Sequence, residues 1–325
     1  MKKQLLTVLM LMCLLLGGCG APDPEQAAED DNLIVVGFSQ VGAESDWRNG
    51  NTVSMQQAFS VEHGYRLILD DAQQKQEKQI AAIRNFINQG VDYIILAPTT
   101  ERGWDTVLSE AKAAGIPVII VDRMIEVEDR SLFTCWIGSN FRQEGNTAVR
   151  WMEEHLNPGG EPLRIVHLQG NIGSSAQIGR TESLLAGLNR NPEWELVFQG
   201  SGDFTQAKGQ ELIEALLEEG AAFNVIYAEN DNMAFGAIDA LKNAGLVPGE
   251  DVLIISFDSG RRALRLVLSG EISLDVECNP LHGPRVQAVI EMLRRGETPR
   301  KFTYVEETFF DRTNLNEAVI ESRAY

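Results

Sequence analysis

Apolar residues along the chain come in short continuous runs separated by polar or amphipathic stretches. Leu33-Ile34-Val35-Val36-Gly37-Phe38 is followed by Tyr65-Arg66-Leu67-Ile68-Leu69, Tyr93-Ile94-Ile95-Leu96 and Pro117-Val118-Ile119-Ile120-Val121. Runs this short, apolar throughout rather than at alternate positions, predict strands covered on both faces. Between two of them, residues 79–87 place Ile80, Ile83, Phe86 and Ile87 at helical spacing. Strand and helix in alternation predict a parallel sheet wound with helices. The pattern then restarts: Arg164-Ile165-Val166-His167-Leu168, Glu195-Leu196-Val197-Phe198, Asn224-Val225-Ile226-Tyr227 and Val252-Leu253-Ile254-Ile255-Ser256 keep the same order. Residues 73–98 and 205–231 echo each other in detail, from polar loop through amphipathic helix and glycine to a strand ending in a polar turn. A duplicated α/β unit accounts for both halves. The nearly 300 residues from Leu33 onward exceed what one core normally organises, so two domains are expected.

The N-terminus follows a different rule. Lys2 and Lys3 precede an apolar run from Leu5 to Leu16, the layout of an export signal and too short to span a membrane comfortably. Leu16-Gly17-Gly18-Cys19 has the form of a lipobox, so residues 1–19 are expected to be a lipoprotein signal with Cys19 as the lipidated residue. Residues 20–32, acidic and proline-containing, predict a flexible tether. A net charge of −19 argues against nucleic acid or an anionic membrane surface as partner, leaving membrane contact to the Cys19 lipid. With Cys13 and Cys19 set aside, Cys135 and Cys278 remain, too few for a disulfide scaffold and open to either pairing or free thiols.

In open parallel sheets ligands sit beyond the carboxyl ends of the strands. The residues at that address here are polar or aromatic: Glu44, Asp122, Asp203 and Asp258 as carboxylates, Arg48, Arg123 and Arg180 as guanidinium groups, Asn230 as an amide, Trp47 and Phe204 as rings. A neutral sugar needs this mixture, with acceptors and planar donors for its hydroxyls and rings for its C–H face. Taken singly, Asp122 also suits a turn cap and Arg123 a surface ion pair. Catalytic and cofactor readings find no foothold. The four histidines are scattered, no metal-ligand spacing or nucleophile elbow occurs, and Gly170-Asn171-Ile172-Gly173 lacks the dinucleotide fingerprint and reads as a turn. No catalytic residue, metal or cofactor is expected.

These stretches resemble the periplasmic sugar-binding proteins of the ribose-binding type, and among them the galactofuranose binders of ABC importers. The likeness runs from Leu33 to Tyr325 and is most specific at Gly37-Phe38-Ser39-Gln40-Val41-Gly42, Trp47-Arg48, Asp71-Ala72-Gln73-Gln74-Lys75-Gln76-Glu77, Val121-Asp122-Arg123, Leu168-Gln169-Gly170, Ser201-Gly202-Asp203-Phe204-Thr205 and Asn230-Asp231. The resemblance implies a class I periplasmic-binding-protein-like fold, two doubly wound parallel-sheet domains joined by a three-crossing hinge. It divides the chain into residues 33–139 with 279–305, and 140–278 with 306–325. It implies sugar contacts from Glu44, Trp47, Arg48, Asp122, Arg123, Arg180, Phe204, Asn230 and Asp258, with Asn140, Asp203 and Glu277 as further candidates. Cys135 and Cys278 fall near the implied crossings, so a hinge disulfide is conceivable. Two residues depart from the galactofuranose binders, Asp46 where they have Gly and Glu229 where they have His. The implied function is that of a monomeric, exported binding protein delivering a monosaccharide to an ABC permease and its ATPase, on the outer face of the cytoplasmic membrane or in the periplasm. Galactofuranose is the implied ligand, with pentoses, other hexoses or inositol as alternatives. A sugar sensor that presents the same clamp to a receptor kinase or chemoreceptor is the rival reading.

Overall fold

All eight apolar runs form parallel strands in the computed structural model, which describes residues 32–156 and 162–325. The signal, Cys19 and nearly all of the tether lie outside the described residues. The first sheet begins with β1 (Ile34–Gln40), β2 (Tyr65–Asp71), β3 (Tyr93–Leu96), β4 (Val118–Val121) and β5 (Cys135–Gly138), interleaved with helices α1 (Asp46–Ala58), α2 (Gln76–Gln89) and α3 (Asp105–Ala113). The second begins after α4 (Phe141–His155) with β6 (Leu163–Gln169), α5 (Ser175–Arg190), β7 (Trp194–Ser201), α6 (Gln206–Glu218), β8 (Val225–Ala228), α7 (Asp231–Asn243), β9 (Leu253–Asp258), α8 (Arg261–Ser269) and β10 (Leu274–Glu277). The chain then returns through α9 (Gly283–Arg294) to add β11 (Phe302–Tyr304) to the first sheet, crosses again to add β12 (Phe309–Phe310) to the second, and ends in α10 (Glu317–Ser322). The strand orders are β11-β5-β4-β3-β1-β2 and β12-β10-β9-β8-β6-β7, the same winding twice. Only β12 runs antiparallel among the paired strands described.

Each sheet carries apolar cores on its two faces. Val36, Phe38, Ile95 and Ile119 pack beneath α1 and α9, with Met55, Val286 and Ile290. Ile94, Leu96 and Ile120 pack with Ile83, Phe86 and Trp104 on the other face. In the second sheet Val166, Ile226 and Ile254 meet α6 and α7, while Ile165, Tyr227 and Ile255 meet α4 and α5. The helix pairs are drawn close by glycines. A Cβ on Gly236 would lie 2.1 Å from the Gln206 carbonyl oxygen, and one on Gly209 2.7 Å from that of Met233. The α4–α5 contact is built alike, with Gly145 against Ser183 and Gly179 against the backbone of Arg142.

The duplication reaches the backbone of the turns. Gln73 and Gln74, after β2, have φ of 51° and 61°, and Asp203 and Phe204, after β7, have the same two values. Left-handed conformation costs a non-glycine residue about 1–2 kcal/mol, so neighbouring groups must hold these turns. Asp122 after β4 (φ 63°) and Asp258 at the end of β9 (φ 118°) are likewise left-handed. The turn after β9 is held from below. Asp231 accepts hydrogen bonds from Ser256 Oγ at 2.7 Å and the Gly260 N–H at 2.9 Å, and Asp275 accepts from the Ser259 N–H at 3.1 Å. Burial pushes both carboxyls up, Asp275 to about 7, and their mutual proximity couples them.

Two outcomes follow for stability. Gly236→Ala forces α6 and α7 apart, and overpacking of this kind costs about 1–3 kcal/mol, read as a lowered denaturant midpoint. In the fold Asp275 keeps its proton up to about pH 7, whereas an unfolded aspartate releases it near pH ~3.9. The stabilising contribution is therefore complete below the lower value and is lost as pH rises through the upper one. Asp275→Asn, which cannot ionise, gains stability relative to the parent as pH rises across that window; a pH-independent difference would locate the proton elsewhere.

Candidate functional site

The carboxyl ends of the two sheets face each other across a cavity of about 300 Å³ lined by Glu44, Trp47, Arg48, Asp122, Arg123, Arg180, Phe204, Asn230 and Asp258, together with Ser45, Phe141, Ala176 and Cys278. The nine residues that the resemblance implied as sugar contacts all line this one cavity, whereas Asp203, nominated beside them at the strand ends, does not.

Their positions follow from local structure. Ser45 caps α1 by accepting from the Arg48 N–H at 3.1 Å, which turns Trp47 and Arg48 inward on the first turn of that helix. The Arg48 guanidinium sits between Glu44 (3.1 Å) and Asp122 (2.9 Å) and donates to Gln40 Oε1 at 3.2 Å. The two carboxylates hold its pKa above the ordinary range in spite of burial. Arg123 lacks so close a carboxylate. It donates to the Thr99 carbonyl and to Asn171 Oδ1, both at 3.2 Å, and burial and the nearby Arg48 lower its pKa to about 10. From the other side Arg180, on α5, donates to Glu144 Oε2 at 2.8 Å and to the Glu229 carbonyl, with Asp258 at 3.8 Å. Burial raises the Asp258 carboxyl well above the usual range.

Two acceptors are left over. Glu44 Oε2 has no donor among the described residues, and Asp122 Oδ2, although ion-paired to Arg48, is out of hydrogen-bonding alignment with it. Both belong to side chains on the cavity wall, where ligand hydroxyls would satisfy them. The apolar share comes from Trp47, Phe141 and Phe204. Trp47 is fixed by its Nε1–H donating to the Cys278 carbonyl at 2.7 Å. Phe204 projects from its left-handed turn over Gly170, where a Cβ would come within 1.9 Å of the ring. Asn230 lines the wall while capping α7 through the Met233 N–H (2.9 Å) and donating to the Phe204 carbonyl (3.1 Å).

The cleft is shut. Asn171 donates to Gln74 Oε1 at 2.6 Å across it, the Met124 N–H to Ser175 Oγ at 2.9 Å, the Glu101 N–H to the Gly173 carbonyl at 3.2 Å, and the Asp46 N–H to Asn232 Oδ1 at 3.0 Å. The Gly170–Gly173 segment is a turn, as expected, and serves as one side of this closure.

Three further candidates lie elsewhere. Asn140 accepts from the Gln143 N–H as the cap of α4. Asp203 pairs with Lys208 and accepts from Ser201, consistent with support of its strained turn. Glu277 pairs with Arg323 at 2.5 Å and accepts from the Thr308 N–H. Each is at the cleft's edge or hinge and none is on the cavity wall. Cys135 and Cys278 are both free thiols, the first in the core of the first sheet and the second on the cavity wall, so no hinge disulfide joins them. Neither departure touches the cavity. Glu229 is buried beneath it, bonded to His167, Thr181 and the Gly170 N–H, and Asp46 contributes its backbone to closure. Phe141 and Glu144 went unnominated because they follow a crossing rather than a strand run, and Cys278 because its thiol was considered only for pairing.

Residues 36–312 match the periplasmic binding protein domain. The galactofuranose-binding protein YtfQ of Escherichia coli (strain K12) is 38% identical over 281 residues, covering 85% of this chain and 87% of that protein. A solved structure from Mycobacterium smegmatis in complex with β-D-fucofuranose superposes with a TM-score of 0.85 at 37% identity, covering 89% of this chain and 94% of that one. The periplasmic binding protein component of the arabinose ABC transporter from Shewanella sp. ANA-3, bound to α- and β-L-arabinofuranose, gives 0.80 at 37% identity, covering 90% and 99%. With both sheets and the closed cleft inside the matched span, the chain belongs to the periplasmic binding protein domain family, with the class I fold of its sugar-binding members.

Proposed function

We propose that the protein is the exported sugar-capturing component of an ABC importer, and that its ligand is a monosaccharide in the five-membered ring form with the galacto configuration. The observation that carries this reading is the composition of the closed cavity. Three carboxyl and three guanidinium groups line it, with Glu144 behind the wall as the main partner of Arg180, so the charges are balanced within the protein, and rings stand on both sides. A neutral polyhydroxylated ligand leaves that balance intact, whereas a charged one would leave a buried charge uncompensated.

The ring form is supported by the chemistry of the relatives' ligands. D-galactofuranose, D-fucofuranose and L-arabinofuranose have the same configuration at the ring carbons C2, C3 and C4 and differ only in the chain carried by C4. Glu44, Asp122 and Arg48 form a rigid triad suited to reading adjacent ring hydroxyls, with each buried partner left unpaired by an epimer costing about 1–3 kcal/mol. No step of bond making is assigned to any residue. Hydrogen bonds and ion pairs already engage the cavity's guanidinium groups, and the site works by enclosure. In an open form ligand would enter between the sheets; closure then aligns the strand ends and presents both lobes, as a single monomeric unit, to the permease.

The Leu16-Gly17-Gly18-Cys19 sequence supports anchoring by a lipid on Cys19, which would keep the loaded protein beside its transporter. Cells fed a labelled fatty acid are expected to label the protein, and Cys19→Ala to abolish the label while the protein is still made.

A thermal-shift and calorimetric panel of galactose, D-fucose, L-arabinose, ribose and glucose tests the ligand. The first three are expected to raise the melting temperature and the last two to leave it unchanged. Asp122→Ala is expected to weaken binding at least 10- to 100-fold, the consequence of about 1.5–3 kcal/mol for a charged hydrogen bond. A shift confined to ribose or glucose would replace the ligand and retain the clamp.

A further inference from the structure

The three crossings between the sheets converge, and each brings a metal-ligating side chain to the same point. Glu144 stands in the first turn of α4, just past the first crossing; Cys278 directly follows β10 on the second; Glu307 lies between β11 and β12 on the third. A carboxylate oxygen from each glutamate and the Cys278 Sγ all lie within 4.8 Å of one another. Glu144 is 4% exposed and Cys278 2%.

Hydrogen bonds fix both carboxylates. Arg180 holds Glu144 Oε2 at 2.8 Å and leaves Oε1, buried, without a donor among the described residues. Glu307 Oε1 accepts from Ser139 Oγ at 2.6 Å and from the Asn279 N–H at 2.7 Å. Metal-binding carboxylates are characteristically fixed in this way by hydrogen bonds to the oxygen's surroundings. The charge is also unbalanced, since two carboxylates meet here and the nearest guanidinium, Arg180, is shared with Asp258. Like charges at this range in a buried site either share a proton or hold a cation between them. A pocket on the hinge side reaches the two glutamates, and its wall carries Glu154, Glu306 and Glu277, the last paired with Arg323, against Arg150 and His155.

We propose that Glu144, Cys278 and Glu307 form a binding site for a divalent transition-metal ion of the zinc type, which ties the three crossings together in the closed arrangement. One sulfur and two carboxylate oxygens, with room for a water from the pocket, match the four-coordinate preference of zinc and disfavour calcium and magnesium, which avoid sulfur. The sequence offers no metal motif because its ligands come from three separate passages of the chain. Since Glu144 also holds Arg180 on the cavity wall, occupancy of the hinge and of the cavity are linked reciprocally.

The test uses metal alone, with no sugar present. The purified protein, reduced and freed of metal with a chelator, is titrated with Zn²⁺ by calorimetry and with Co²⁺ by absorbance. The expected result is one equivalent bound, a thiolate-to-cobalt charge-transfer band and a raised melting temperature with Zn²⁺. Cys278→Ser is expected to remove the band, and Glu307→Gln to weaken binding at least tenfold. Glu154→Gln, on the pocket wall only, is expected to retain both. Cooperative melting of each variant establishes that it folds. Absence of the cobalt–thiolate band in the parent protein, or Zn²⁺ affinity unchanged in both Cys278→Ser and Glu307→Gln, would overturn the proposal and leave a proton shared between the carboxyls as the cluster's occupant.

Discussion

Three guanidinium groups are buried around one small cavity, and much of the structure exists to make that tolerable. Removing a single ion from water costs several kcal/mol even after relaxation, so each guanidinium needs acceptors placed before any ligand arrives. For Arg48 they are Glu44 and Asp122, the second presented by a left-handed residue at a strand end. For Arg180 the main one is Glu144, and the glycines Gly145 and Gly179, each beside one member of the pair, allow α4 and α5 to approach closely enough for it. Arg123 is the least compensated and relies on neutral acceptors, one of them Asn171 from the opposite half. Such pairs add little net stability. What they supply is orientation that the ligand does not have to impose.

Much of this organisation was visible in the amino-acid order. Strands buried on both faces announce themselves as unbroken apolar runs, and the rule that ligands lie beyond strand carboxyl ends converts those runs into an address. Glu44, Asp122, Asp258 and Asn230 were found that way because each follows a strand whose end is unmistakable. The same rule nominated Asp203, which has the right address but turns to Lys208 while Phe204 takes the cavity, and no spacing distinguishes two neighbours in one strained turn. Asn140 and Glu277 came from the hinge, where short segments cross and periodicity gives no direction to a side chain. The strands β5, β10, β11 and β12 were not named for a related reason. They are two to four residues long and belong to the passages between halves, so their pairing is decided by tertiary contact rather than by pattern.

Duplication explains another part. The turns after β2 and β7 share their backbone angles yet carry different side chains, Gln73-Gln74 in one and Asp203-Phe204 in the other. One copy delivers an aromatic ring to the cavity and the other a carboxamide to the opposite lobe. A single backbone solution has therefore been used once for ligand contact and once for closure.

The closing contacts have a consequence for how affinity is adjusted. Gln74, Ser175 and Asn232 join the halves without lining the cavity, so they bias the resident population of shut molecules while remaining indifferent to what is inside. Apparent affinity scales with the fraction already competent to bind. Changes at these three positions would strengthen or weaken the capture of every accepted sugar by the same factor, so evolution can match the protein to the abundance of its nutrient while leaving the ranking among nutrients untouched.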